Sequence, residues 1–519
     1  MKISIELWKE ASESRQRCGA MHPISRLFRA AIDPSFAPHR QTFVTKTPAR
    51  CLSDGCVLNE LPECRVSSDA NRQSTRRHDF TGERGYMSTL TRLRNLSILW
   101  VTTIVLACFS NAAAQASYKV QDLGVQQPDN LGMAMGLNNY GGTLIMDQLL
   151  DHFPLSTLYP AVKGTVRISK GDLNLELGTL GGENSSINWN GINDPGQAAG
   201  MSETSVPDPN GEDVCLFGTH LTCSPFISQN GTMVALPTVG GNNGQASAIN
   251  NSGQVAGYAE NGIADSTCPA GTENFMVDLP VVWTNGNAKA LPTINGDPDG
   301  VAYGINNRGQ AVGYSGTCIQ ATHPVVWENG TVTKLQYLGD PGGIAFAING
   351  HNQIVGQAIN SDGTALATIW ESHKVAALAG GALVPGDVAS FATSINNQGQ
   401  AVGSSFSSKG NWSHGLLWQN GRMIDLNTVF PASSNLYVVS ASNINENGQI
   451  AGMAVEMSGL NGGRTIVHAF LATPVDEDQG KSVADVVPTH PEITLPAANV
   501  GMKLSPRSAH CSIHDKGIF

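Results

Sequence analysis

Three histidines of this 519-residue chain, His323, His414 and His468, stand at the same point of a recurring phrase. Imidazoles placed in register could bind a metal or move protons. The recurrence also argues the other way, because catalytic groups are ordinarily unique in a scaffold and a repeated residue usually packs or hydrogen-bonds. A structural role is the favoured reading. Asp297 and Asp299, in Asn295-Gly-Asp-Pro-Asp-Gly300, put two carboxylates at a glycine bend, which suits a hard cation such as calcium. The complete acidic loop pattern is absent, and the segment aligns with the turns at 240–244 and 339–343. The two aspartates are therefore weak calcium candidates, and the expectation is no cofactor. Trp283, Trp327, Trp370 and Trp418 could stack on sugars, but one tryptophan per unit in an apolar strand reads as a core wedge. No nucleophile elbow, zinc-protease motif or phosphate loop occurs in the array, so no catalytic residue is assigned.

The elements that position these residues come from a repeat. Its phrase is Ile-Asn, two variable residues, Gly-Gln, a short apolar pair, Gly, as in Ile305-Asn306-Asn-Arg-Gly309-Gln-Ala-Val-Gly313. Copies begin at Asn138, Asn193, Asn250, Asn306, Asn349, Asn396 and Asn445, spaced by 55, 57, 56, 43, 47 and 49 residues. Such periods mark repeat arrays. Asn193, Asn250, Asn306, Asn396 and Asn445 each open a turn, and Gly196, Gly253, Gly309, Gly399 and Gly448 supply its positive φ. Alternating apolar residues on either side make this a hairpin.

A second hairpin follows in each unit, as Pro324–Trp327, Glu328-Asn-Gly330 and Thr331–Leu335. Its first strand recurs at Tyr159–Val162, Pro225–Ile227, Pro280–Trp283, Thr368–Trp370, Leu416–Trp418 and His468–Leu471. Each unit is thus four short antiparallel strands, which stack radially as a propeller blade. The last unit lacks its fourth strand, and Lys119–Gly124 at the other end of the array can supply it, removing an open sheet edge. The expected fold is an all-β propeller of about seven blades (six or eight are the alternatives), closed by its N-terminal strand.

The 57 glycines and only 14% charged residues fit a turn-dense β protein, and a net charge of −11 offers no footprint for nucleic acid. Residues 1–86 carry no repeat; Cys51, Cys56 and Cys64 are poorly spaced for zinc. Residues 87–116 read as a secretory signal: a basic start at Met87, an apolar run from Leu96 to Cys108, then small residues ending at Ala114 or Ala116. The preceding 86 residues are then a start-site artefact or a disordered extension. Two alternatives attach the protein to a membrane, through an uncleaved 96–114 anchor or a lipidated Cys108. Residues 117–474 form the array and 475–519 a polar, disordered tail.

Cys215, Cys223, Cys268 and Cys318 are the cysteines of the array. An even number in an exported protein suggests disulfides, with three pairings open. Two insertions, Ser202–Ser224 and Ala259–Leu279, carry three of them and are either a binding face or tolerated loop growth.

The phrase, the Trp-x-Asn-Gly turn and Leu177-Gly-Thr-Leu-Gly-Gly182 resemble the extracellular HAF-repeat family, whose naming triplet appears as His468-Ala469-Phe470. The resemblance spans about Val120 to Thr473; His323-Pro-Val and His414-Gly-Leu keep only the histidine. It implies a secreted, periplasmic or cell-surface bacterial repeat protein and supplies no catalytic residues. The functional expectation is a non-enzymatic binding or structural propeller with a surface glycan or protein as partner. The alternative is a propeller enzyme, a glycan lyase or hydrolase using the central funnel.

Overall fold

The computed structural model describes residues 117–149, 163–268, 275–318, 320–407, 414–457 and 466–475. The expectations for 1–86, for the signal segment with Cys108, and for the tail beyond 475 lie outside these residues. The described chain is an all-β propeller of seven four-stranded antiparallel blades: 131–176, 181–235, 244–290, 299–334, 343–377 and 387–425 for blades one to six, then 436–475 with the N-terminal strand for blade seven. Among the described residues no helix is long and apolar enough to cross a membrane.

Ser117–Gly124 pairs antiparallel with Val467–Val475, from Ser117↔Val475 to Gly124↔Ala469. The first strand thus completes the last blade, as the missing fourth strand requires. A single parallel bridge, Leu131↔Val467, joins blade seven to blade one. The third strand of blade one is Lys163–Lys170, not Tyr159–Val162, which lies outside the described residues. The strand of this blade has neither the tryptophan nor the proline that mark it elsewhere: Ser169, paired with Thr143, sits where Trp327 pairs with Ala311 in blade four.

Two glycines of the phrase have different jobs. Gly309 closes the turn at φ 79, a conformation that penalises a side chain. Gly313, in the return strand, lies against the neighbouring strand so closely that a Cβ would run into the Val301 carbonyl oxygen. In six blades the innermost strand pair carries a bulge, placed between Ala302 and Gly304 in blade four. The extra residue there, Tyr303, is buried, as are Met135, Ser247, Phe346, Thr393 and Ser442 at the equivalent bulges.

Candidate functional site

The seven repeat turns, Leu137-Asn138 and six that begin Ile-Asn, lie side by side around one end of the ring. Each repeat asparagine organises its own turn and grips the next. Asn306 Oδ1 accepts the N–H of Arg308 and of Gln310, both at 3.1 Å. Its Nδ2 donates to Gln310 Oε1 at 2.7 Å and to the Asn349 carbonyl at 3.2 Å. The bonds between blades run Asn138 to Asn193, then Asn250, Asn306, Asn349, Asn396 and Asn445, at 2.9–3.2 Å, and Asn445 returns to Asn138 at 3.0 Å. Seven side chains thus form one closed circuit of hydrogen bonds.

The following residue builds a second, outer circuit. The backbone N–H of Asn139, Asp194, Asn251, Gly350, Asn397 and Glu446 each donates to the side-chain oxygen of the equivalent residue in the next blade. The seventh link is missing. Asn307 faces Gly350, which has no side chain, and Asn307 N–H has no acceptor among the described residues. Within these circuits lies a shallow dish of about 200 Å³ lined by carboxamides, with Asp194, Glu446 and Arg308 as its charged groups. Beside it a cleft of about 460 Å³ runs between blades four and five.

The axis beneath the dish is filled. Trp189 of blade two is 2% exposed and packs its ring on Phe346 of blade five at 5.0 Å and Phe391 of blade six at 6.1 Å. Its neighbour Asn190 accepts from Asn443 Nδ2 at 2.7 Å, reaching blade seven. One apolar cluster takes residues from all seven blades here, including Met133, Trp189, Tyr258, Tyr303, Phe346, Phe391 and Val439. Trp189 was missed by the repeat reading. Its signal is the doubled Ile-Asn of Ile187-Asn-Trp-Asn-Gly-Ile-Asn193, where extra residues form a turn just after the innermost strand, Gly181–Ser186.

The repeated histidines each find an aspartate. His323 Nδ1 meets Asp297 Oδ2 at 2.8 Å, His414 meets Asp387 at 2.9 Å, and His468 meets Asp122 at 2.8 Å. Ser315 Oγ and Ser405 Oγ also bond Asp297 and Asp387, on the same oxygen that the histidine uses. A catalytic triad needs the hydroxyl on the other face of the ring, at Nε2. These serines are on the carboxylate instead, so the pairs are struts. For His414, burial lowers the pKa, but the Asp387 hydrogen bond and charge outweigh it and hold it above the ordinary value. The Asp122 hydrogen bond raises that of His468 against an opposing burial effect. Burial pushes Asp122 up, but His468 and the Gly124 N–H bring its carboxyl below the usual range.

Asp297 and Asp299 do not act together: Asp297 serves Ser315 and His323, while Asp299 Oδ1 accepts the Asp278 N–H at 2.8 Å. Asp299 is 4% exposed, and its pKa is pushed up to about 9, first by burial, then by a hydrogen bond to the Asp265 side chain and the Asp278 charge. One group among the described residues has metal-ligand spacing: Asp265, Cys268 and Cys318. Its two sulfurs are joined in a disulfide, which leaves one carboxylate.

Cys215 is bonded to Cys223, with Cα atoms 5.6 Å apart, and Cys268 to Cys318, at 5.1 Å. The second bond ties the insertion of blade three to blade four. The insertions turn their acids inward. Asn243 Nδ2 meets Asp208 at 2.8 Å, Glu260 at 3.0 Å and Glu212 at 3.5 Å. Trp283, Trp327, Trp370 and Trp418 are 1–3% exposed, too buried to receive a sugar face. The first three donate their indole N–H at 2.7 Å to Pro237, Pro292 and Gln336 of the preceding blade. Phe470 is fully buried against Phe430, 5.3 Å away.

No protein-family model matches the chain, and no curated protein does. Several solved structures match part of the chain at low similarity. A mutant of Aleuria aurantia lectin in complex with Fucalpha1-6GlcNAc matches with a TM-score of 0.30 and 12% identity, over 66% of this chain and 96% of the lectin. Trypanosoma rangeli sialidase matches with a TM-score of 0.31 and 8% identity, over 69% and 59%. A mutant of AofleA from Arthrobotrys oligospora matches with a TM-score of 0.30 and 10% identity, over 60% and 90%.

Proposed function

We propose that this protein is an exported, non-catalytic propeller that binds a surface glycan through the turn face and the adjoining cleft. The observation that carries the reading is the filled axis. A funnel enzyme needs a water-filled mouth onto which unique acids or bases converge, and here Trp189 and its aromatic neighbours occupy that space. The groups with chemical potential are engaged as struts: three histidines on aspartates and two serines on the same carboxylates. What remains open is a rigid polar dish with a side cleft, the kind of surface that recognises hydroxyl-rich ligands by hydrogen bonds. Two disulfides fit an oxidising compartment outside the cytosol, and the resemblance to HAF repeats points to the same place.

The test is thermal unfolding of the purified protein against a glycan panel, with and without calcium, alongside an assay for released sugar. A ligand that binds only the native state raises the melting temperature by mass action. The reading expects a rise with one glycan class and no product. Turnover would overturn it in favour of a lyase or hydrolase, with Glu328 and Glu371, both on the cleft, the first residues to replace.

A further inference from the structure

Sevenfold symmetry makes its own exceptions visible. Six blades give the outer circuit a side-chain oxygen, and blade five gives Gly350. The turn of blade five also exchanges its residues: Asn352, at φ 64, takes the place that glycine holds in the other six blades. The exchange leaves two consequences on the side of blade four. Asn307 keeps an unused backbone N–H and an unused side-chain amide. Arg308, next to it, bonds Asn352 Oδ1, a neutral oxygen, and has no carboxylate within ion-pair distance among the described residues. The same seam holds the 460 Å³ cleft, on whose wall Lys374 is likewise exposed and without an ion pair. The cleft's own glutamates, Glu328 and Glu371, each accept a repeat glutamine at 3.0 Å.

Among the described residues only Arg167 of the lysines and arginines has an ion pair, so what sets Arg308 apart is its place beside the open Asn307 N–H at the break in the circuit. A backbone N–H, a carboxamide and a guanidinium side by side are the donors that an oxyanion takes, and arginine's fork suits carboxylate and sulfate alike. We propose that the seam between blades four and five binds the acidic group of a glycan chain, with Asn307 and Arg308 holding the oxyanion and the cleft holding the sugar beyond it. This rests on the glycan-binding reading above and narrows it to acidic glycans, either uronates or sulfate esters.

Calorimetric titration with an oligogalacturonate, its methyl ester, a sulfated oligosaccharide and a neutral oligosaccharide tests it. The acidic oligosaccharide that fits is expected to bind at least tenfold more tightly than the uncharged ones, and its affinity falls with added salt. Arg308→Ala is expected to lose tenfold or more, and Arg308→Lys most of that. Gly350→Asn completes the outer circuit by offering Asn307 N–H its missing acceptor. Its Cβ would lie 2.8 Å from Asn397 Oδ1, the far end of an exposed, flexible side chain that shifts to make room, and Gly350 is not at positive φ, so the fold is expected to survive. That variant is expected to lose acid binding with an unchanged melting temperature. Preference for the sulfated probe over the uronate supports the site and assigns the anion. Equal binding of the charged and uncharged probes, or full affinity in both variants, overturns the site while leaving the glycan reading standing. No binding by any probe overturns both.

Discussion

Asp299 occupies a position where blades two and three carry asparagine. Asn184 Oδ1 accepts the Gly164 N–H at 3.0 Å, Asn243 Oδ1 the Cys223 N–H at 2.8 Å, and Asp299 Oδ1 the Asp278 N–H at 2.8 Å. The amide nitrogens of the asparagines then donate to Glu203 and Glu260 in the adjacent strand. In blade four the residue opposite Asp299 is Gly316. Asp299 is raised by burial and by the neighbouring Asp265 and Asp278 carboxylates, and its Oδ2 has no donor among the described residues, so the buried carboxyl keeps its proton. A carboxyl held at about 9, against about 3.9 in the unfolded chain, retains at pH 7 a proton that the unfolded chain has lost. The cost is about 1.36 × (7 − 3.9), or about 4 kcal/mol. Below about pH 4 both states are protonated and the cost vanishes; it grows as pH rises and stops growing once the native group ionises near 9. Asp299→Asn keeps the acceptor for Asp278, gives Asp265 an N–H, and carries no proton to lose. It is expected to be more stable than the parent by about 2–4 kcal/mol at pH 7, by less at pH 5 and by more at pH 8.5. Denaturant midpoints at the three pH values measure this. A destabilised variant, or a gain that does not change with pH, refutes the protonated carboxyl. Asp299→Ala is the control: it loses the acceptor and strands a buried N–H, at a cost of about 1–3 kcal/mol.

Three further expectations follow from the packing. Trp189→Ala empties the axis and should cost about 3–5 kcal/mol by denaturation, as for other buried aromatic truncations. Cys268→Ser opens a loop with a sequence separation of 50 and should lose about 4 kcal/mol in non-reducing buffer, with parent and variant converging under reductant. The His468–Asp122 pair pins the closing strand to its neighbour; His468 is raised and Asp122 lowered. Its contribution is present between about pH 3.9 and 6.5, fading on the acid side as Asp122 protonates and on the alkaline side as His468 loses its proton. Amide exchange of Ser117–Gly124, corrected for intrinsic rates, should be slowest in that window, and His468→Ala should flatten the profile.

The blades and their closure were legible because they rest on local chemistry repeated seven times. Asn306 and Gly309 specify a turn from four residues of sequence, and the chain says so again in each unit. The missing fourth strand was legible by subtraction. The slip at Tyr159–Val162 shows the limit: where Trp is replaced by Ser169, the strand has no marker and the eye falls on the wrong apolar run. Trp189 was beyond reach for a different reason. Its contacts are with blades five and six, some 150–200 residues away, and nothing local says that one blade fills the axis for all. The acids of the insertions were invisible for the same reason, since Asn243 gathers Asp208 from a loop of blade two and Glu260 from the adjacent strand of its own blade.

A repeat informs about function mainly where it fails. Residues that recur satisfy one another: the seven asparagines close a circuit, the tryptophans wedge successive blades, and the histidines brace aspartates. Most such groups spend their hydrogen-bonding capacity inside the scaffold, and the exception, the Trp418 indole N–H, is buried out of a ligand's reach. A departure from the pattern leaves either a compensation or an open valence. Gly316 in place of a glutamate is compensated, because the buried Asp299 keeps a proton. Gly350 in place of an acceptor is not compensated, and Asn307 N–H stands unused beside an unpaired arginine. Filling that gap with asparagine tests the distinction directly: it should cost the fold nothing and cost the ligand everything that the broken symmetry supplied.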